Sequence, residues 1–356
     1  MKRIILTGGG TAGHVTPNIA LIPRLQELGY DIQYIGSYNG IEKELIEPLG
    51  VPYHGISSGK LRRYFSIQNF TDPFRVVKGF GEARKLIKEL KPDVIFSKGG
   101  FVSVPVVLAG KRCKVPVIIH ESDMTPGLAN KIAIPSASKV CCNFPETLDF
   151  LPKGRAVLTG SPIRQELLSG NKIAAMDMCG FTADKPVILV IGGSLGSVIV
   201  NNAVRQSLPR LLDDFQIIHL CGKGKTDDSL KDTKGYCQFE YIRDELRDIF
   251  ALADIVISRA GANAICELLA LRKPNLLIPL SAKASRGDQI LNARSFERQG
   301  FSMVLEEETL TEDSLVMSVL ELYKNRGTFI DAMRNSDQQD SINTIVSLIE
   351  EESSGN

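Results

Sequence analysis

One pattern occurs twice in this chain and limits what it can fold into. A short, continuously apolar run ends in a cluster of glycines, and a helical pattern follows at once. The first copy is Ile4–Leu6 running into Gly8-Gly9-Gly10-Thr11-Ala12-Gly13. The second is Val187–Ile191 running into Gly192-Gly193-Ser194-Leu195-Gly196. Further apolar runs predict strands at Arg3–Thr7, Asp31–Ile35, Val94–Phe96, Val115–His120, Gln216–Leu220, Ile255–Ser258 and Asn275–Pro279. Amphipathic stretches lie between them, among them Asn18–Leu28 and Gly81–Leu90, the latter stopped by Pro92. Strands that alternate with helices imply parallel sheets built from βαβ units.

The expected fold is therefore α/β, with two doubly wound, Rossmann-like domains, each carrying a glycine loop after its first strand. The pattern breaks at Leu158-Thr159-Gly160-Ser161-Pro162, which sets expected domains of 1–160 and 161–339. The stretch Asp340–Glu351 then reads as a helix packing back toward the first domain, and Ser353–Asn356 as a frayed tail. A chain of 356 residues is long enough for two such cores.

A net charge of +1 points to no nucleic-acid partner. Seven cysteines are odd in number, scattered and free of C-x-x-C spacing, which fits reduced thiols in a cytosol better than a zinc site or a disulfide framework. The opening MKRIILTGGG reads as a buried strand, not a signal peptide, and no apolar run approaches the roughly 18 residues of a membrane span. A soluble or peripheral protein is expected.

Gly8, Gly10 and Gly13 satisfy G-x-G-x-x-G, a dinucleotide fingerprint on spacing alone. That reading also needs a carboxylate closing the second strand. Here the strand ends Ile35-Gly36-Ser37, with none until Glu42, which weighs against a dehydrogenase. What survives is a loop that lets a ligand approach the backbone, the alternative being a plain tight turn. Beside it, His14 is a candidate general base, or else a capping histidine. Gly192-Gly193-Ser194 can cradle a diphosphate in the same way. Arg164, past the expected hinge, can neutralise a leaving diphosphate or form a surface ion pair. In Ser258-Arg259-Ala260-Gly261-Ala262-Asn263-Ala264-Ile265-Cys266-Glu267 a strand ends, small residues turn, and a helix presents Glu267, a carboxylate able to accept both hydroxyls of a ribose. Gly287-Asp288-Gln289-Ile290-Leu291-Asn292-Ala293 offers an amide for sugar hydroxyls. No Asp-x-Asp occurs, so neither a bridging metal nor any other cofactor is expected.

The segments TGGGTAGHVTP, SKGGFVSVP, IHESD with GLANK, GSPIR, IGGSLGS, SRAGANAICE and GDQILNA follow one another across nearly the whole chain. In this order they resemble the bacterial peptidoglycan N-acetylglucosaminyltransferases that convert lipid I to lipid II. The resemblance implies a GT-B fold, two domains facing across a cleft, with UDP-N-acetylglucosamine mainly on the C-terminal one. It implies that Glu267 holds the ribose, that Ser194 and Arg164 face the diphosphate, and that the Ile242 backbone reads the uracil. Ala262, Asn263 and Ala264 then lie beside the phosphates, Ile265 and Cys266 complete the substrate-binding segment, and Gln289 and Asn292 meet the sugar. Thr11, Ala12, Gly13 and His14 border the reacting centre. Lys98–Ser103, His120, Glu121, Asp123 and Asn130 fall on the acceptor side. His14 is the first candidate for the base, with His120 and Glu121 as further ones. This chain departs from the family in carrying Ser122-Asp123 where Gln-Asn is common, and Phe101 where Tyr is frequent.

The stretch Lys60–Lys91 holds nine basic residues against three acidic ones, interleaved with Leu61, Tyr64, Phe65, Ile67, Phe70, Phe74 and Phe80. Beside an undecaprenyl-linked acceptor, such a segment suits an anionic membrane surface, and the expected location is peripheral, on the cytoplasmic face of the membrane. Two other functions fit the same fold: a UDP-GlcNAc 2-epimerase, which needs no acceptor lipid, and a non-catalytic UDP-sugar-binding protein, which needs no His14.

Overall fold

A computed structural model describes residues 1–59, 68–193, 196–284, 287–336, 338 and 340–355. The chain divides into two compact units, Met1–Arg164 with Asp340–Asn356, and Gln165–Gln339.

Unit 1 is built on a seven-stranded sheet: β1 (Arg3–Thr7), β2 (Asp31–Ser37), β3 (Tyr53–Ile56), β4 (Val94–Ser97), β5 (Val117–Glu121), β6 (Lys139–Cys142) and β7 (Ala156–Leu158). The spatial order is β3-β2-β1-β4-β5-β6-β7, and every pairing is parallel. Successive β1 side chains leave on opposite faces. Ile4 and Leu6 join one buried cluster with Tyr34 and Phe96, and Ile5 joins another with Ile35, Ile95 and Ile119. Helices must cover both faces, which is why the runs are apolar throughout instead of alternating.

Unit 2 repeats the plan with β8 (Val187–Ile191), β9 (Gln216–Leu220), β10 (Tyr236–Phe239), β11 (Ile255–Ser258), β12 (Asn275–Leu277) and β13 (Met303–Val304). The order is β10-β9-β8-β11-β12-β13, again all parallel. The expectation of two doubly wound, Rossmann-like domains holds.

Two details differ from the sequence reading. The segment after β3 folds as one long helix, Gln68–Leu90, which starts 13 residues before the expected Gly81. The last helix, Ser341–Ser354, is not frayed at Ser353. Its Ile342, Ile345, Val346 and Ile349 are buried in the core of unit 1. Ser353 takes a hydrogen bond from Lys2 Nζ at 3.0 Å and shares another with the Tyr30 hydroxyl at 2.9 Å. The N-terminal strand is thereby tied to the end of the chain.

Candidate functional site

In an open parallel sheet a crevice forms where the strand order reverses, at the carboxyl ends of the strands. In unit 1 the reversal lies between β1 and β4, and in unit 2 between β8 and β11. The residues that follow these four strands are Gly8–Gly10, Lys98–Gly100, Gly192–Gly193 and Arg259–Gly261. Both glycine loops thus stand where the topology opens a binding crevice.

In unit 1 the two loops touch through their backbones, Gly9 N–H donating to Gly99 O at 3.4 Å. The Tyr34 hydroxyl donates to Gly8 O at 2.7 Å. Next come exposed Thr11 and a short 3-10 turn, Ala12–His14. The His14 ring places Nδ1 3.0 Å from Thr11 Oγ1. Burial and the nearby Lys98 cation lower its pKa to about 4, outweighing a hydrogen bond to the Gly9 backbone and the Glu42 charge. The imidazole is therefore neutral at physiological pH, the state a base needs.

His120 and Glu121 close β5, and the structure gives both a different task from the proton transfer considered for them. His120 is fully buried. Its Nδ1 lies 2.9 Å from Lys98 Nζ and its Nε2 2.9 Å from Gly160 O, so neither nitrogen is left to exchange a proton with a ligand. Burial, with the Lys98 charge, holds its pKa well below the ordinary value. Lys98 also donates to Ser122 Oγ. The Glu121 carboxylate accepts the N–H groups of Ser122, Asp123 and Gly127 at 2.8, 3.0 and 3.0 Å, and Asn130 Nδ2 at 2.8 Å. It staples the loop after β5. Burial raises its pKa against the pull of these donors. Asp123 contributes its backbone to this staple. Asn130 is buried and its Oδ1 has no partner among the described residues. Arg164 is the last residue of unit 1 and half-buried.

In unit 2 a cavity of about 590 Å³ opens beside the second glycine loop. Gly192, Gly193, Ser197, Arg259, Ala264 and Gln289 are among its walls. Gly193 has φ +83°, and a Cβ there would meet no atom of the described residues within 4 Å, which leaves its backbone open on the cavity side. Two helices, Val198–Asp214 and Ala262–Ala270, begin at this cavity, so the positive ends of their dipoles lie at its wall. Ser194 lies outside the described residues.

The sequence does not single out Arg259 as a site residue. It is 9% exposed and joins the cavity wall. Its guanidinium forms an ion pair with Glu307, donates to Ser197 Oγ at 2.6 Å, and reaches the carbonyls of Ile278 and Pro279 at 3.1 and 3.2 Å. Lys225 adds a second cation to the wall. The only sequence signal for Arg259 was its place directly after a strand. Its partner Glu307 is too distant along the chain to be inferred.

The other sequence-derived residues sort by burial. Ile242 is buried in the turn after β10. Asn263 and Glu267 are half-buried on the helix that starts at Ala262, whereas the Ile265 and Cys266 side chains are buried in the protein and offer a ligand only backbone. Gln289 lines the cavity while its Oε1 accepts the Leu280 N–H at 3.0 Å. The Asn292 side chain is buried, not exposed to a sugar, and its amide holds Ala260 O at 3.3 Å. Among the described residues, no group of three or more His, Cys, Asp or Glu is placed to hold a metal ion, and no helix is long and apolar enough to cross a membrane. Of the basic and aromatic segment, residues 60–67 lie outside those described. Further along, Lys78 and Lys85 pair with Glu82 and Glu89 one turn away.

A family model described as the glycosyltransferase family 28 N-terminal domain matches residues 4–142, and one described as the family 28 C-terminal domain matches residues 187–349. The chain belongs to glycosyltransferase family 28. A UDP-N-acetylglucosamine–N-acetylmuramyl-(pentapeptide) pyrophosphoryl-undecaprenol N-acetylglucosamine transferase of Lachnospira eligens is 68% identical over 353 residues, covering 99% of this chain and all of that one. The protein of the same name from Clostridium tetani is 59% identical, with 98% of each chain covered. Among solved structures, Acinetobacter baumannii MurG is 26% identical with a TM-score of 0.78 over 99% of this chain and all of that one. A putative UDP-N-acetylglucosamine 2-epimerase from Listeria monocytogenes covers 98% of this chain and 96% of its own at a TM-score of 0.71. It is only 10% identical and shares the fold alone.

All four histidines have pKa values lowered chiefly by burial; that of His219 falls to about 3. The unfolded chain therefore binds more protons than the native one below about pH 6.5. Stability should be nearly flat from about pH 6.5 to 8 and fall as the solution is acidified toward pH 4, by about 2 kcal/mol at pH 5 from buried His219 alone. Glu121, whose pKa is raised, works in the opposite direction but is a single group. Urea midpoints at pH 7.5 and 5.0 check this, and equal midpoints would refute it.

Proposed function

We propose that this chain transfers N-acetylglucosamine from UDP-N-acetylglucosamine to the 4-hydroxyl of the N-acetylmuramyl unit in lipid I, with inversion, giving lipid II. Full-length identity of 68% to a transferase of that name carries the reading. The epimerase alternative has only a shared fold behind it. A non-catalytic role would need no histidine directly after the first glycine loop, where His14 stands.

The UDP-sugar binds in unit 2. Helix N-termini, Arg259, Lys225 and Ser194 meet the diphosphate, Glu267 takes the ribose hydroxyls and the Ile242 backbone reads the uracil. Gln289 meets the sugar, and Asn292 positions the turn through Ala260. Arg164 keeps the role implied by the family resemblance, a cation for the leaving diphosphate. In unit 1, Asn130 Oδ1 offers an acceptor to a sugar hydroxyl, beside Asp123. The acceptor oxygen attacks the anomeric carbon, the bond to the diphosphate breaks, and His14 takes the acceptor proton. UDP leaves with its new charge on preorganised donors and cations. A lipid-linked acceptor and the basic composition of the segment from Lys60 to Lys91 support a location at the cytoplasmic membrane surface.

The test is UDP release from UDP-N-acetylglucosamine with and without a lipid I analogue. Release only with the analogue is expected; sugar epimerised without any acceptor would replace this reading. Glu267→Ala should weaken donor binding by about 10²- to 10⁴-fold, since it removes two charge-assisted hydrogen bonds worth roughly 1.5–3 kcal/mol each. Calorimetry on a folded variant with unchanged affinity would remove Glu267 from the ribose site.

A further inference from the structure

The first glycine loop already holds an anion, and the anion belongs to the chain itself. Glu42, in the helix Ile41–Ile46 that follows β2, is fully buried. Its Oε2 accepts the Gly10 N–H at 3.1 Å. Its Oε1 accepts the Ser37 N–H at 3.0 Å and the Ser37 hydroxyl at 2.5 Å. These donors are two backbone amides and one hydroxyl.

A buried carboxylate is costly unless fixed donors replace its water. A glycine loop after a strand supplies such donors, which is why loops of this kind attract phosphates. The backbone here is shaped to the carboxylate. A Cβ on Gly9 would come within 2.5 Å of Glu42 Cδ, and one on Gly40 would overlap Glu42 Oε1. The same pattern in unit 2 instead opens on a cavity of about 590 Å³.

We propose that Glu42 is a positioning residue for the transfer reaction. Its carboxylate ties the Gly10 N–H of the loop to Ser37 at the end of β2, fixes the segment that presents Thr11 and His14, and leaves the UDP-sugar to the loop of unit 2. The link to turnover rests on the function proposed above; the link to the loop does not.

Glu42→Gln tests both. Glutamine keeps the shape but has one acceptor oxygen, so either Gly10 or Ser37 is left facing an amide N–H. Hydrogen exchange over residues 8–14 should quicken at least about tenfold, with the unit 2 loop unchanged. Turnover should fall at least about tenfold while the KM for UDP-N-acetylglucosamine stays within about twofold. Unchanged exchange over residues 8–14 overturns the proposal. Faster exchange with unchanged turnover overturns the positioning role in the reaction. If the unaltered protein transfers no sugar, the proposed function fails and the exchange result still decides whether Glu42 holds the loop. If Glu42→Gln does not fold, Glu42→Asp, one methylene short of Gly10, is read the same way.

Discussion

Replacing His14 by alanine should cut turnover by about 10²- to 10⁴-fold while the affinity for UDP-N-acetylglucosamine stays within about twofold. Three candidates for the base were open on sequence, and their surroundings separate them. His120 is enclosed between Lys98 and Gly160, and Glu121 spends its carboxylate on four N–H donors. His14 is half-buried, anchored on Thr11 and neutral. The donor is assigned to unit 2, so its affinity should hardly register a change in unit 1. A folded His14→Ala variant that binds donor normally and turns over within about threefold of the unaltered enzyme would end the assignment.

Arg259→Ala should lower the stability of unit 2 by about 3–5 kcal/mol, because it leaves Glu307 as a buried charge without its cation. It also removes a donor from Ser197 Oγ and a cation from the cavity wall. Stability and binding can be told apart with the pair Arg259→Ala, Glu307→Ala. Removing both charges should restore most of the stability and none of the donor affinity. A double variant that recovers affinity would show that Arg259 is only an internal counter-ion. A single variant that loses less than about 1 kcal/mol in urea unfolding would show that the pair is not buried in solution.

The central strands were legible because a strand covered on both faces is apolar without interruption. The bounds read for Arg3–Thr7, Val187–Ile191, Gln216–Leu220 and Ile255–Ser258 are the observed ones. The strands not read include all four sheet edges, β3, β7, β10 and β13, where a half-covered or very short run such as Tyr53–Ile56 carries polar residues and glycine. The apolar run predicts β5 from Val115, but Pro116 has no N–H to give the ladder, and pairing begins at Val117.

The glycine loops were legible as binding loops because strand, glycine and helix follow one another in sequence. What each loop holds was not. Glu42 looked too late to serve the end of β2, yet the helix that carries it folds back to Gly10 and Ser37. The Lys98–His120 contact and the Arg259–Glu307 pair join residues 22 and 48 positions apart through the sheet, and no spacing rule reaches them. His120 and Glu121 looked catalytic because polar groups close a buried strand. The same position also suits groups that hold a loop in place.

The most direct test of the central claim is the linkage in the isolated product. The chain would be incubated with UDP-N-acetylglucosamine and a lipid I analogue, with a chelator present, and the disaccharide examined by proton NMR. The account predicts a β-1,4 bond between N-acetylglucosamine and N-acetylmuramic acid, formed without added metal. An α-linked product, or UDP release with no disaccharide, would contradict it.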